Sequence, residues 1–169
     1  MGKVIWFFGL SGAGKTTLAK ALMSKLPGKV VLLDGDELRK KKPQTGFSRQ
    51  ERKTHILSVA DLAASDALKH DFVICSLITP YEELRELIKK NHPDYFMIWV
   101  SCPLEICEQR DVKGLYRRAR AGEIRNFTGI SDNFDVPHSP DLVVKTSENS
   151  VDKCIEEILK NLKSRGLTK

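Results

Sequence analysis

The sequence lacks long apolar runs and has few cysteines, and both absences exclude whole classes of protein. Its longest apolar stretches, residues 4–10 and 95–100, are no more than seven residues long, whereas a membrane-spanning helix needs ~20. The start of the chain shows no signal-peptide cleavage pattern, so we expect a cytoplasmic protein without membrane contact. No CxxC pair is present, which favours free thiols over disulfides or a zinc site. The cysteines are Cys75, Cys102, Cys107 and Cys154.

Length and composition predict one folded domain. The chain has 169 residues, close to the ~150 of an average domain. Apolar residues make up 41% and charged residues 30% of it, which is typical of globular proteins and excludes wholesale disorder or a coiled-coil array. Without repeats or an interdomain linker, residues 1–169 are expected to form a single domain.

The charge balance indicates an anionic partner. Lysine and arginine outnumber aspartate and glutamate by 28 to 22, which gives a net charge of +6. Nucleic-acid-binding proteins concentrate basic residues with aromatic ones on one face, whereas here they are spread along the chain, so we expect no nucleic-acid partner. Residues 40–42 form one basic cluster, for which a solvated surface is the expected role.

Strand and helix patterns alternate along the chain. Apolar runs typical of parallel strands covered on both faces lie at residues 3–8, 29–33, 72–75, 95–100 and 142–144. Apolar residues at helical spacing lie between and after them, near residues 18–26, 56–67, 84–88, 103–109 and 151–162. This order predicts an α/β domain with a parallel five-stranded sheet and right-handed crossovers.

A phosphate-binding motif follows the first predicted strand. Residues 9–16 read GLSGAGKT and match GxxxxGK[ST] between a strand and a helix. In such a loop backbone N–H groups converge on a β-phosphate, Lys15 reaches the β/γ oxygens and Thr16 ligates Mg²⁺. Chance matches arise in ~1 of a hundred such chains, so we expect ATP binding with Mg²⁺ as cofactor. The expected ATP-binding residues are Gly9, Ser11, Gly12, Ala13, Gly14, Lys15, Thr16 and Thr17.

Three classes of nucleotide-binding protein compete for this motif. A GTPase needs an NKxD motif, which is absent, and a motor ATPase needs a larger domain. A small-molecule kinase fits better because Asp34 and Asp36 follow the second strand, at the edge where α/β proteins bind ligands. One carboxylate there can lie near Mg²⁺ and one can face an acceptor hydroxyl. We therefore predict Asp34 and Lys15 as catalytic residues and Thr16 and Asp34 as metal ligands, although Asp-Gly-Asp alone is typical of a turn and helix N-cap.

A second basic cluster lies between the fourth helix pattern and the last strand. A lid of this charge could close over the transferring phosphoryl group, and a solvated loop is the alternative. Its residues are Arg110, Lys113, Arg117, Arg118, Arg120 and Arg125.

Five segments together resemble the adenylylsulfate (APS) kinase family. They are GLSGAGKTT (9–17), LDGDELR (33–39), GFS (46–48), ITPY (78–81) and RDVKGLYRRARAGEIRNFTGI (110–130). The last is the most specific, since the other motifs occur more widely. The resemblance spans nearly the whole chain and implies a P-loop kinase three-layer sandwich with a basic lid, often dimeric. It also implies MgATP-dependent phosphorylation of the 3′-hydroxyl of adenosine 5′-phosphosulfate (APS) to 3′-phosphoadenylylsulfate (PAPS) and ADP, in sulfate assimilation.

The same resemblance implies a substrate-binding set. Arg39 and Arg52 resemble the arginines that hold the phosphosulfate of APS. Phe47 and Phe127 resemble the pair that encloses its adenine, and their polar, glycine-containing loops favour exposed stacking residues. The full implied set is Asp34, Asp36, Arg39, Phe47, Arg52, His55, Ile78, Thr79, Lys113 and Phe127. The alternatives are a related kinase acting on another nucleotide or sugar hydroxyl and a non-catalytic module that binds nucleotides or associates with nucleic acid through its net charge of +6.

The sequence departs from the family pattern at three places. Residues 40–45 read KKKPQT in place of a longer segment, and residues 55–58 read HILS where the family has NIRR, so the asparagine contact falls on His55. Thr79 replaces a serine for which a phosphoenzyme role has been described. Residues 79–82, TPYE, match a capping box with proline at the first helical position, so we expect Thr79 to cap a helix and assign it no covalent step.

Overall fold

The computed structural model describes residues 1–41 and 46–168. Most of the departure from the family pattern at 40–45 therefore lies outside the described residues. Strands and helices alternate along the rest, as the apolar patterns predict. In chain order they are β1 (Lys3–Phe8), α1 (Lys15–Met23), β2 (Val30–Asp34), α2 (Gly35–Lys40), α3 (Arg49–Asp66), β3 (Phe72–Ser76), α4 (Glu82–Asn91), β4 (Phe96–Ser101), α5 (Leu104–Arg110), α6 (Leu115–Arg120), β5 (Leu142–Lys145) and α7 (Val151–Ser164).

The strands of the described chain form one parallel sheet. Its order is β2-β3-β1-β4-β5, so β1 is the central strand. Ile5 of β1 lies in register between Ile74 of β3 and Phe96 of β4. The predicted five-stranded parallel sheet is thereby confirmed.

Alternate side chains of β1 enter two separate cores, because successive residues of a strand point to opposite faces. Ile5 and Phe7 pack in a core that also contains side chains of α1, α6 and α7. Trp6 and Phe8 pack on the other face with side chains of α3 and α4. Two helical layers thus enclose the sheet, which confirms the expected three-layer sandwich.

The strand order also brings chemistry-bearing residues to one edge of the sheet. The phosphate-binding motif begins just after β1, and Asp34 is the last residue of β2. Asp34 is in register with Ser76, the last residue of β3. Ligands of open α/β sheets bind outside these carboxyl ends, so the fold places the motif and Asp34 where a common site is expected.

Two short helices have no counterpart in the sequence prediction. Helix α2 follows β2 directly, and the Asp34 side chain caps it by accepting from the backbone N–H groups of Asp36 and Glu37. Helix α6 lies within the stretch expected to be a basic lid, and only Tyr116 and Ala119 of it are buried. Helices of six residues with two or fewer buried positions leave too little apolar periodicity to be recognised.

The predicted capping box at residues 79–82 is wrong. Helix α4 begins at Glu82 with Tyr81 as N-cap, and no side chain of the N-cap residue contributes. The Glu82 backbone N–H instead donates to Asp135 Oδ2 at 3.0 Å. Thr79 has a left-handed backbone, φ 46°, and its buried hydroxyl accepts from Trp6 Nε1 at 3.0 Å. Its side chain therefore anchors β1 rather than the helix.

All four cysteines are free and buried, as expected from their apolar surroundings. Within residues 1–41 and 46–168, none of the helices has both the length and the apolar character required to cross a membrane.

Candidate active site

A cavity of about 1340 Å³ opens at the carboxyl edge of the sheet. It brings together most residues that the sequence places in the site. Those lining it are Ser11, Gly12, Gly14, Lys15, Thr16, Thr17, Asp34, Asp36, Arg39, Phe47, Arg52, Ile78, Lys113 and Phe127. Gly9, Ala13, His55 and Thr79 do not line it.

Two glycines of the phosphate-binding loop are required by its backbone. Gly14 is the N-cap of α1 with φ 103° and ψ 12°, a left-handed conformation that costs glycine little. Gly9 lies against β4, where a Cβ atom would approach the Val100 carbonyl oxygen to 2.5 Å. Gly9 thus permits close packing of loop and sheet, which explains its place in the motif although it lies off the cavity.

Lys15 is almost completely buried, with 9% of its surface exposed. Its Nζ donates to the Leu10 carbonyl oxygen at 2.7 Å, across the loop. Burial lowers the pKa of Lys15 to about 8, and the nearby carboxylates of Asp36 and Asp34 act in the opposite direction. A cation held in this way is positioned for a phosphate oxygen that would replace the carbonyl.

The two carboxylate oxygens of Asp34 have different partners. Oδ1 accepts from the Asp36 backbone N–H at 3.0 Å, as a helix cap. Oδ2 accepts from Thr16 Oγ1 at 2.7 Å. Asp34 can therefore be a helix N-cap and an active-site residue at once, because the cap orients its carboxylate toward Thr16.

Ser76 adds a third side-chain oxygen that the sequence did not indicate. Its hydroxyl lies 3.3 Å from Thr16 Oγ1, because β3 pairs with β2 so that Ser76 is opposite Asp34. Hydroxyl and carboxylate oxygens are the ligands that Mg²⁺ prefers. The donors present therefore fit a magnesium ion held by Thr16 and Asp34.

Asp36 and Lys113 form an ion pair at the cavity wall. Each side chain is 58% exposed. The sequence predicts each residue as a substrate contact without linking the two, whereas in the structure they bond each other although they are 77 positions apart in the sequence. An anion that binds Lys113 must therefore compete with the Asp36 carboxylate.

Phe47 and Phe127 both line the cavity, but their environments differ. Phe47 is 53% exposed, as expected, with the guanidinium carbon of Arg39 4.7 Å from its ring centre. Phe127 is only 8% exposed and packs edge-on against Tyr116, with ring centres 5.0 Å apart. The expectation that both rings are exposed is wrong for Phe127, because the neighbouring core extends under its loop.

Arg39 and Arg52 are held by the protein itself. Arg39 donates from Nη1 to the Gly46 carbonyl oxygen at 3.0 Å. Its pKa is lowered by burial and by the positive charge of Arg52. Arg52 is buried, with 6% exposed, and its guanidinium bonds two separate chain segments. Both arginines line the cavity, and their contact with a phosphosulfate stays a prediction.

The side chains of His55 and Thr79 do not line the cavity. His55 is 5% exposed on α3, and its neighbour Ile56 lines the cavity in its place. Thr79 is completely buried because its left-handed backbone turns the side chain toward Trp6. The structure therefore does not bring either side chain to the positions expected from the family resemblance.

The basic stretch contributes fewer residues than a six-residue lid would. Arg110 and Lys113 line the cavity. Arg118 pairs with Glu123 and Arg120 with Glu108, both at the surface. The two remaining arginines of this cluster, Arg117 and Arg125, are exposed and do not line the cavity. The lid hypothesis is thus restricted to the first part of the stretch.

Side chains from later in the chain hold the carbonyl groups of the phosphate-binding loop, and two of them, Thr146 and Tyr116, were not predicted as site residues. Thr146 Oγ1 donates to the Ala13 carbonyl oxygen at 2.6 Å, and Arg110 Nη1 donates to that of Gly12 at 3.2 Å. Tyr116 donates its hydroxyl to the Ser11 carbonyl oxygen at 2.7 Å.

This arrangement has a consequence for anion binding. The hydrogen bonds from Thr146 and Arg110 fix the peptide units of the loop whose backbone N–H groups are expected to bind phosphate. Side-chain contacts of this kind follow no local motif, and only the position of Thr146 just after β5 could have drawn attention to it.

Comparisons with known proteins identify the family of this chain. The family model for adenylylsulphate kinase matches residues 1–145. An adenylyl-sulfate kinase of Synechococcus sp. (strain JA-3-3Ab) is 41% identical over 98% of this chain and 96% of its own. One of Deinococcus deserti is 42% identical over 95% of this chain and 91% of its own.

A solved structure gives the same result for the fold. The Mycobacterium tuberculosis APS kinase CysC, in complex with AMPPNP and APS, superposes with a TM-score of 0.86 at 36% identity, covering 96% of this chain and 98% of that one. With the family model matching most of its length, this chain belongs to the adenylylsulphate kinase family.

Proposed function

We propose that this protein transfers the γ-phosphoryl group of MgATP to the 3′-hydroxyl of APS, forming PAPS and ADP. The observation that carries the proposal is that one cavity joins most of the phosphate-binding loop to an acidic residue and an exposed aromatic ring. The family relationship selects APS among the acceptors that such a cavity could take.

The loop side of the cavity binds ATP. Backbone N–H groups at the start of α1 face the phosphates with the favourable end of the helix dipole. Lys15 exchanges the Leu10 carbonyl for a phosphate oxygen and balances charge on the transferred group. Phosphoryl transfer depends on positioning and electrostatic stabilisation, and the bonds from Thr146 and Arg110 keep this loop in place.

Asp34 faces the acceptor. Its capped carboxylate offers Oδ2 as the proton acceptor for the attacking hydroxyl. Thr16 and Asp34 would hold a magnesium ion, which when bound neutralises charge on the β- and γ-phosphate oxygens.

The far wall of the cavity binds APS. Phe47 presents an exposed ring on which a purine can stack, and Phe127 presents a ring fixed in the core. Arg39 and Lys113 supply positive charge for the phosphosulfate. Asp36 accompanies Lys113 and releases it when the acceptor binds.

A coupled assay of ADP release tests the proposal. We expect ADP formation that requires both ATP and APS and does not occur with gluconate, a nucleoside monophosphate or RNA in place of APS. Lys15→Ala should reduce the rate by ~100- to 1,000-fold, the usual cost of one donor aimed at the transition state, with the fold retained. ADP release with one of the other acceptors, or without APS, would reject APS as the substrate.

A further inference from the structure

Arg52 connects two distant segments of the cavity wall. From α3, its Nε donates to the Phe47 carbonyl oxygen at 2.9 Å. Nη1 donates to Thr128 Oγ1 at 2.7 Å, and Nη2 donates to the Asn126 carbonyl oxygen. The bonded residues flank or carry the two aromatic rings of the acceptor wall, so one guanidinium joins both segments.

The segment around Thr128, which bonds the Arg52 guanidinium, is buried and has a defined backbone conformation. Thr128 is 2% exposed, and Asn126 has a left-handed backbone with φ 54°, which asparagine tolerates better than most residues. The backbone N–H groups of Ile130 and Ser131 both donate to the Phe127 carbonyl oxygen at 3.0 Å. The turn that carries Phe127 is therefore held together by its own backbone hydrogen bonds.

Burial makes the bond between Arg52 and Thr128 consequential. A buried guanidinium N–H that loses its acceptor pays its desolvation cost without compensation. Replacing the Thr128 hydroxyl by a methyl group would therefore displace Arg52, and with it the backbone of Phe47 and of Asn126.

We infer that Thr128 is a positioning residue for the acceptor: through Arg52, it sets the spacing between the Phe47 and Phe127 rings. The inference rests on the proposed function, in which these rings receive the adenine of APS. It differs from a direct contact of Arg52 with the acceptor anion, because it assigns the effect to the separation of two aromatic surfaces. Three nitrogen atoms of the Arg52 guanidinium already donate hydrogen bonds to Phe47, Asn126 and Thr128.

The variant Thr128→Val tests the inference with steady-state kinetics for both substrates. We expect kcat/KM for APS to fall ~10-fold, as for a lost hydrogen bond to a charged group, while KM for ATP stays within about twofold. Thr128→Ser keeps the hydroxyl and should restore the wild-type value. Thr146→Val is the matched control, since the same substitution on the loop side should raise KM for ATP and not for APS.

A double-mutant cycle with Phe47→Ala separates positioning from direct contact. If Thr128 acts on the spacing of the rings, Thr128→Val should have little further effect once the Phe47 ring is gone. If Thr128→Val still lowers kcat/KM for APS by the full amount in the Phe47→Ala protein, the inference is overturned. It is also overturned if Thr128→Val alone has the wild-type kcat/KM for APS, or if it lowers kcat/KM equally for APS and ATP.

Two further measurements keep these outcomes distinct. Should Thr128→Val fail to fold, Arg52→Lys retains the cation but not the fork that holds three acceptors, and the same APS-specific loss and the same cycle are expected. Absence of APS-dependent ADP release by the wild-type protein would reject the proposed function itself. Normal wild-type turnover with an unaffected Thr128→Val rejects only the inference.

Discussion

At the scale of single residues, Asp34 has two functions that one substitution can separate. Asparagine caps helices about as well as aspartate, so Asp34→Asn should keep the bond from Asp36 N–H to Oδ1. It removes the charge at Oδ2, where we place the acceptor proton and the metal. We therefore expect kcat to fall by ~100-fold or more and Tm to change by no more than about 2 °C.

Asp34→Ala is the control, since it removes both functions. It should lose turnover and also ~1 kcal/mol of stability through the missing cap. Thermal melts and initial rates of both variants distinguish the capping function of Asp34 from its function in turnover. A stability loss in Asp34→Asn equal to that of Asp34→Ala, with turnover kept, would reduce Asp34 to a structural cap.

The two aromatic residues of the acceptor wall differ in what their removal should cost. Phe47 is 53% exposed and Phe127 only 8%, so Phe47→Ala should leave stability nearly unchanged, whereas Phe127→Ala should cost ~3–5 kcal/mol. Loss of base stacking is worth ~1–3 kcal/mol, so Phe47→Ala should lower kcat/KM for APS by ~5- to 150-fold with little effect on KM for ATP. An effect confined to ATP would place Phe47 outside the acceptor site.

At the scale of secondary-structure elements, the start of α3 predicts a pH-dependent stability. Ser48 and Glu51 form a complete capping box, and the hydrogen bond from the Ser48 hydroxyl lowers the pKa of Glu51 below its usual value. Because the folded-state pKa is the lower one, this stabilisation is present above the unfolded pKa and is lost as the pH falls through the folded pKa.

Glu51→Gln isolates the contribution of the charge, because glutamine keeps the shape and can still form a capping box. We expect its Tm to lie below that of the wild type at about pH 7 and the difference to be smaller at about pH 3, because protonation of Glu51 removes the advantage of its charge. Melting curves at both pH values measure this. A Tm difference that is the same at both would contradict the assigned pKa direction.

Amide hydrogen exchange should differ between helix α6 and the residues 112–113 that precede it. Helix α6 has Tyr116 and Ala119 buried, and the Asp111 carboxylate accepts from the backbone N–H groups of Tyr116 and Arg117. We expect hydrogen exchange to be slow in α6 with or without ligand and fast at residues 112–113, where ATP with APS should slow it. Equal rates at residues 112–113 with and without ligands would return Lys113 to the solvated surface.

Local patterns in the sequence were sufficient to predict the strands, the longer helices and the phosphate-binding loop, because these follow from apolar periodicity and a contiguous motif. The two six-residue helices were missed for want of that periodicity. The capping box at 79–82 was wrong because Asp135, more than fifty residues away, caps α4 instead. The same reason applies in the candidate site: Ser76, Thr146 and Thr128 reach it through tertiary packing.

At the scale of the whole molecule, one sheet edge collects every contact on which the proposed reaction depends. The central strand β1 is buried on both faces, so the loop that follows it starts from the buried centre of the sheet. The net charge of +6 favours the approach of two anionic substrates. The homodimer expected from the family stays a prediction, which light scattering in solution can check.

The burial of Thr79 bears on how phosphate moves through this molecule. Its hydroxyl is fully enclosed and occupied by the Trp6 indole, while Arg85 Nη1 donates to its carbonyl oxygen at 2.8 Å. A phosphorylated threonine carries nearly two negative charges, and enclosing each charge costs several kcal/mol. A phosphothreonine relay would thus have to open the packing of β1 at every turnover, whereas direct passage from donor to acceptor leaves the core closed.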